Sequence, residues 1–251
     1  MSLKNKIDFA VVFSVKNANP NGDPLNGNRP RVSFDGLGEL SDVCIKRKIR
    51  DRLMESGKDI FVQSDDRRKD EFHSLRERAD ALIKKGLKES EIRKVACETW
   101  FDVRAFGQLF AFKATGSKKG KAKEGDDGGE DKSVSIGIRG PVTVQSAFSV
   151  ERVNVTSTQI TKSVSGEGDG SKRGSDTMGM KHRIDQGVYV FYGSMNPQLA
   201  VKTCFSDEDA VVLRGILPKI FENDASAARP EGSMHVLKVI WWNHNCPAGQ
   251  L

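Results

Sequence analysis

Residues 7 to 15, IDFAVVFSV, place Ile7, Phe9, Val11, Phe13 and Val15 on one side and leave Asp8 and Ser14 among those opposite. A strict period of two over nine residues fits a strand with one face on a core. Strand patterns recur in SVSIGIRGPVTVQSAFSV (133 to 150, with a turn at Gly140-Pro141), in GVYVFYG (187 to 193) and in MHVLKVIWW (234 to 242). Two segments between them read as helices. In SDVCIKRKIRDRLMES (41 to 56), Ser41 is an N-cap and Asp42 suits the first turn. Ile45, Ile49 and Leu53 recur every four residues as a core stripe. In SDEDAVVLRGILPKIFEN (206 to 223), a cap and three acids open a second helix, with a kink expected at Pro218. This order predicts an α+β fold, a ferredoxin-like sheet of split βαβ type with long insertions.

The charged fraction of 29% is slightly high for a compact globule, and a solvated loop or an extended surface should account for the excess. Residues 62 to 98 are highly charged, mostly helical in pattern and sparse in apolar positions. Residues 113 to 132, KATGSKKGKAKEGDDGGEDK, cannot bury enough apolar surface to offset the entropy of ordering, so a mobile loop is expected. GEGDGSKRGSD (166 to 176) reads as flexible too. A chain of 251 residues accommodates one large domain or two small ones.

Several classes drop out. No apolar run approaches the roughly 18 residues of a membrane-spanning helix. The start, MSLKNKIDFAVVFSVKN, opens a strand pattern and lacks a signal peptide's apolar core. Cys44, Cys97, Cys204 and Cys246 are far apart with no CxxC, which argues against a disulfide framework or zinc ribbon and for a reducing, cytoplasmic setting. The histidines form no HExxH, and there is no GxSxG, Walker loop or strand-following GxGxxG. No cofactor, metal or catalytic residue is therefore expected. Asp23 and Asp35 are the two acids that a metal-dependent nuclease would use, although a lone loop Asp is usually a turn residue.

The net charge of +6 permits a nucleic-acid partner without demanding one. The loop NANPNGDPLNGNRPRV (17 to 32), in which Gly, Pro, Asn and Asp oppose regular structure, is either an ordinary surface loop or a site for sugar and phosphate. Asn19, Asn21, Asn26 and Asn28 supply amides, Arg29 and Arg31 supply charge, and the glycines admit backbone N–H groups to an anion. Lys46, Arg47 and Arg50 fall together on the far side of the first helix, as a solvated face or as phosphate ligands. Three phosphate contacts would give a log-log salt slope near −2, at about 0.7 per phosphate on a single strand. In TMGMKH (177 to 182), Met178 and Met180 sit among Gly, Lys and His. They are either core packing or a wedge against a base, with Lys181 and His182 on the backbone.

Seven blocks in order, NPNGDPLNGNRPRV, LSDVCIKRKIRDRL, FDVRAFG, IRGPVTVQSAFS, TMGMKH, GVYVFYG and SDEDAVVL…NDASAAR, span roughly residues 7 to 230. Together they resemble the backbone subunit (RAMP superfamily) of type I-C CRISPR Cascade surveillance complexes. The resemblance implies a modified RNA-recognition-motif palm as a single domain over 1–251. A helical and loop insertion would occupy about 56–132 and a β-hairpin thumb about 150–182. It implies copies assembling as a helical filament along a CRISPR guide RNA, each thumb flipping a base out. Guide bases would pair with invading DNA, other Cascade subunits would join, and a separate helicase-nuclease would cut. The subunit itself would be no enzyme; the alternative is a metal-dependent RNA-cleaving relative. Carried onto this chain, the RNA-binding set is Asn21, Asn28, Arg29, Arg31, Lys46, Arg47, Lys48, Arg50, Arg104, Arg139, Thr177, Met178, Lys181 and His182.

Overall fold

The computed structural model describes residues 1–83, 87–112, 134–163 and 178–250. Its strands are β1 (Ile7–Ala18), β2 (Gly22–Asp23), β3 (Arg29–Pro30), β4 (Leu37–Leu40), β5 (Gly107–Phe112), β6 (Val134–Arg139), β7 (Val142–Val144), β8 (Ala147–Arg152), β9 (Val155–Thr161), β10 (Met178–Met195) and β11 (Met234–Asn243). Its helices are α1 (Asp42–Glu55), α2 (Leu75–Leu82), α3 (Glu89–Thr99), α4 (Phe101–Phe106), α5 (Pro197–Thr203) and α6 (Asp207–Ile216).

The main sheet runs β11-β1-β10-β8-β4, and β7 and β9 also pair with β10. Every pairing in it is antiparallel. From β1 the chain passes through the β2–β3 loop to β4, which pairs with β8 at the far edge, then through α1 and the insertion to β7 and β8 beyond β10; it leaves β10 through α5 and α6 and re-enters beyond β1 as β11. The result is an α+β fold on a mainly antiparallel sheet, in which the connection from β10 to β11 skips one strand position, β1. The alternating face of β1 is buried as predicted. Phe13 stacks on Tyr189 with centroids 5.3 Å apart, and Phe9 stacks on Trp241 at 5.6 Å. Ile45, Ile49 and Leu53 of α1 close this core together with Phe101, Ala210 and Leu213. All these helices therefore lie on one side. On the opposite face Phe148, Val150, Val188 and Tyr192 are exposed.

The insertion carries its own core. Phe61, Ala79, Ala96, Trp100, Val103, Phe110, Ile136 and Ile138 form a second cluster, with Phe61 and Trp100 rings 4.6 Å apart. A buried carboxylate rivets it to the palm: Asp102 accepts from Phe61 N–H at 2.7 Å, Val62 N–H at 3.1 Å and Arg50 Nε at 2.8 Å.

Strands β6 and β7 lie on either side of Gly140-Pro141, as expected, and β6 pairs with β5 in a separate two-stranded sheet. Three local expectations are revised. The 17 to 32 loop contains a miniature ladder, β2 with β3, closed by a 3-10 turn over Pro24–Asn26. At Pro218 the helix ends rather than kinks: α6 stops at Ile216 and a 3-10 turn spans Leu217–Lys219, because a proline nitrogen cannot continue the hydrogen-bond ladder. Finally, MGMKH (178 to 182) and GVYVFYG belong to one 18-residue strand, β10. Its C-terminal part pairs with β1, while Met178 to Arg183 pair with β9 alone, leaving the sheet as a two-stranded ribbon. The expected mobile loops at 113 to 132 and 166 to 176 lie outside the described residues.

Candidate nucleic-acid interface

The candidate interface lies where the β1–α1 loop meets the root of the ribbon. Asn19 fixes the loop from below, donating from Nδ2 to the Asn28 carbonyl at 2.7 Å. Asn28 itself sits at φ 59°, a left-handed conformation that asparagine tolerates better than most residues. Asn21 stitches the loop to α1: its Oδ1 accepts from Ser41 N–H at 3.0 Å and Ser41 Oγ at 2.9 Å. Ser41 Oγ in turn caps α1 by accepting from Cys44 N–H. A cleft of about 260 Å³ opens here, lined by Asp23, Asn26, Arg29, Pro30, Arg31, Val32, Glu39 and Val155, the first residue of β9. A larger hollow, about 800 Å³, lies on the exposed sheet face at the same root. Its lining includes Lys16, Arg152, Asn154, Asp185 and Gln186. The two hollows flank the place where the ribbon leaves the sheet.

Along the ribbon, side chains alternate. Met178, Met180 and His182 share one face, and Lys181 and Arg183 the other. Met178 is 67% exposed and Met180 55%, which removes the core-packing reading of this pair. His182 Nδ1 lies 2.8 Å from Ser157 Oγ on β9. Thr177 lies outside the described residues.

The cations singled out from sequence divide into three groups. Arg29, Arg139 and Lys181 are exposed, and none has an ion-pair partner among the described residues. Arg31, Lys46 and Arg47 are partly exposed, and each is paired: with Asp23 at 3.3 Å, Asp42 at 2.9 Å and Asp51 at 3.0 Å. Lys48, Arg50 and Arg104 are held inside the fold. Lys48, with a side chain 5% exposed, pairs with Asp224, and Arg50 with Asp102. Arg104 makes a two-pronged contact to Asp209 at 2.9 Å for each prong, donates to the Cys97 carbonyl and covers the Phe101 ring. The KRKIR run thus does not form one cationic face. Lys48 and Arg50 join α1 to neighbouring segments, Arg104 ties α4 to α6, and Arg139 ends β6 in the small sheet.

Several neighbours were not singled out from sequence. Arg229 donates to the same Asp224 oxygen as Lys48, at 3.0 Å. Burial pushes the Cys44 thiol up, while Lys48, Arg229 and Arg31 pull it back and Asp224 pushes it further. Charges from the loop, α1 and the 224–229 segment therefore converge around Cys44. The NDASAAR block carried Arg229 in plain view, but nothing in its spacing tied it to α1. Lys16 and Arg152 gave no sequence signal, because each is a single cation at a strand end. Asp23 accepts from Leu25 N–H at 3.2 Å and from Arg31, and Asp35 is exposed on a turn. Among the described residues, no group of three or more His, Cys, Asp or Glu is placed to hold a metal.

The chain has relatives among known proteins. The chain is 28% identical over 241 residues to a CRISPR-associated protein Cas7 of Haloferax volcanii, covering 90% of this chain and 67% of that protein. A solved chain of a CRISPR RNA-guided surveillance complex in its pre-nicking state superposes with a TM-score of 0.51 at 17% identity. The match covers 94% of this chain and 75% of that one, and shows likeness of fold. The model of the family described as CRISPR-associated protein Cas7 matches residues 5–251, and the chain belongs to that family.

Proposed function

We propose that this protein is a guide-RNA-binding backbone subunit of a type I-C CRISPR surveillance complex, acting by scaffolding and not by catalysis. The observation that carries the reading is the ribbon itself. Exposed methionines and Lys181 stand on it, and its root is flanked by a cleft holding Arg29 and Arg31 and by a hollow holding Lys16 and Arg152. Cations at the root suit a phosphate backbone, which fixes register without reading sequence. A polarisable methionine on a projecting hairpin suits the face of any base. In this reading the ribbon is the thumb, copies repeat along the guide in the cytoplasm, and guide bases stay free to pair with invading DNA. Sequence discrimination is then delegated to Watson–Crick pairing, and a separate helicase-nuclease recruited to the complex cuts. Arg29, Arg31, Lys46, Arg47, Arg139 and Lys181 contact phosphates. Asn21, Asn28, Lys48, Arg50 and Arg104 shape the surface that presents them, while Thr177, Met178 and His182 belong to the thumb.

Purification from the native host, followed by sequencing of the bound nucleic acid, tests this. The expected result is a small transcript of uniform length carrying repeat-derived ends. A preparation free of RNA, or bound to heterogeneous messenger fragments, would overturn it.

A further inference from the structure

Two of the paired cations occupy a distinctive place. Asp23–Arg31 and Asp42–Lys46 lie on either side of the joint that Asn21 makes with Ser41. All four side chains are between 26% and 38% exposed, so these pairs are open to solvent and exchangeable, unlike Lys48–Asp224 or Arg50–Asp102. We propose that Asp23 and Asp42 are specificity-determining residues that compete with RNA phosphates for Arg31 and Lys46, so that the interface favours long guide strands over short fragments. This rests on the guide-binding reading above.

The argument is one of exchange. When Lys46 moves from Asp42 to a phosphate, the RNA sheds a counterion and the abandoned carboxylate collects one. The exchange gains little by itself and is nearly salt-neutral. A short oligonucleotide finds only the exposed cations Arg29, Lys16, Arg152 and Lys181 to its advantage. A strand already anchored on those brings its next phosphates at high effective concentration, and on adjacent copies repeats the gain. The carboxylates therefore tax every ligand equally per contact, and only multivalent ligands overcome the tax.

The test compares the wild type with Asp23→Asn, Asp42→Asn and a control, Glu98→Gln. The control removes the same charge from the exposed Lys94–Glu98 pair on α3. Binding of a six-nucleotide RNA and a guide-length RNA is measured across a salt series, with melting temperatures recorded. Asparagine at position 23 keeps an oxygen for the Leu25 N–H, so that variant carries the test even if Asp42→Asn weakens the start of α1. Each Asp→Asn change is expected to tighten the short RNA by up to about five-fold, the upper range for exposed pairs. It should also steepen the log-log salt slope by about 0.7. The guide-length RNA should gain by the same factor at each contact it makes. Unchanged affinity and slope, or an equal gain in Glu98→Gln, would overturn the proposal while leaving guide binding intact. No RNA binding by the wild type at any salt would instead overturn the guide-binding reading itself.

Discussion

The hydroxyl of Tyr189 is buried in the main core with no hydrogen-bond partner among the described residues. Its ring is well placed, stacked on Phe13, so the oxygen is the only misfit. Tyr189→Phe should therefore stabilise the protein by about 1 kcal/mol, the lower end for an unsatisfied buried polar atom. Chemical denaturation of the two proteins checks this, and a loss of stability would mean that the oxygen has a partner. The cysteines make a second residue-scale case. Burial, reinforced by the nearby Cys204 thiol, pushes Cys97 up to about 11. Burial also raises Cys44. Cys246 is lowered by backbone N–H groups, first that of Gln250 at 3.3 Å. Alkylation at pH 8, read by mass spectrometry, should label Cys246 well before Cys97 or Cys44, since the thiolate is the reacting form. Labelling of Cys97 first would contradict its burial.

At the scale of elements, α1 was the most legible part of the chain. Its cap, first-turn acid and apolar stripe each carry a local signal, and all three are realised. Ser41 does more than cap, because it also receives the loop through Asn21. Ser41→Ala should cost about 1 kcal/mol for the lost cap. It should also raise amide exchange in residues 19 to 31, an effect that a cap alone would not produce. Helix α2 depends on charge. The hydrogen bond from Arg78, and then its charge, hold Asp70 below the usual carboxylate range. A carboxylate depressed in the folded state stabilises above its unfolded pKa. That contribution disappears as pH falls through the lower folded value. Amide exchange around α2 should therefore accelerate as pH drops below the ordinary Asp range, earlier than in β1, and Asp70→Asn should abolish the difference. What the sequence hid at this scale has one cause. Periodicity reports a face and not a partner. It showed that Lys48 and Arg50 were on a helix but not that Asp224 and Asp102 would meet them. It showed TMGMKH and GVYVFYG as separate blocks but not that residues 178 to 195 form one strand, β10, continuing past the sheet edge. Helix α5 was missed because Asn196 and Pro197, its cap and first residue, also read as a turn.

For the whole molecule, membership of the CRISPR-associated Cas7 family and the ribbon beside its two hollows lead to a claim about assembly. In the guide-binding reading proposed above, the candidate interface of one copy offers few exposed cations among the described residues, Lys16, Arg29, Arg152 and Lys181, so a single protein–RNA contact would be weak and salt-sensitive. Many copies on one strand add their contacts without new chemistry. The most direct measurement is the mass of complexes formed by the purified chain with RNAs of increasing length at fixed, moderate salt. The account predicts that protein copies per strand rise in even steps with length, and that spacing between reactive bases is constant along each strand. A single copy per RNA at every length, or no complex at all, would contradict it.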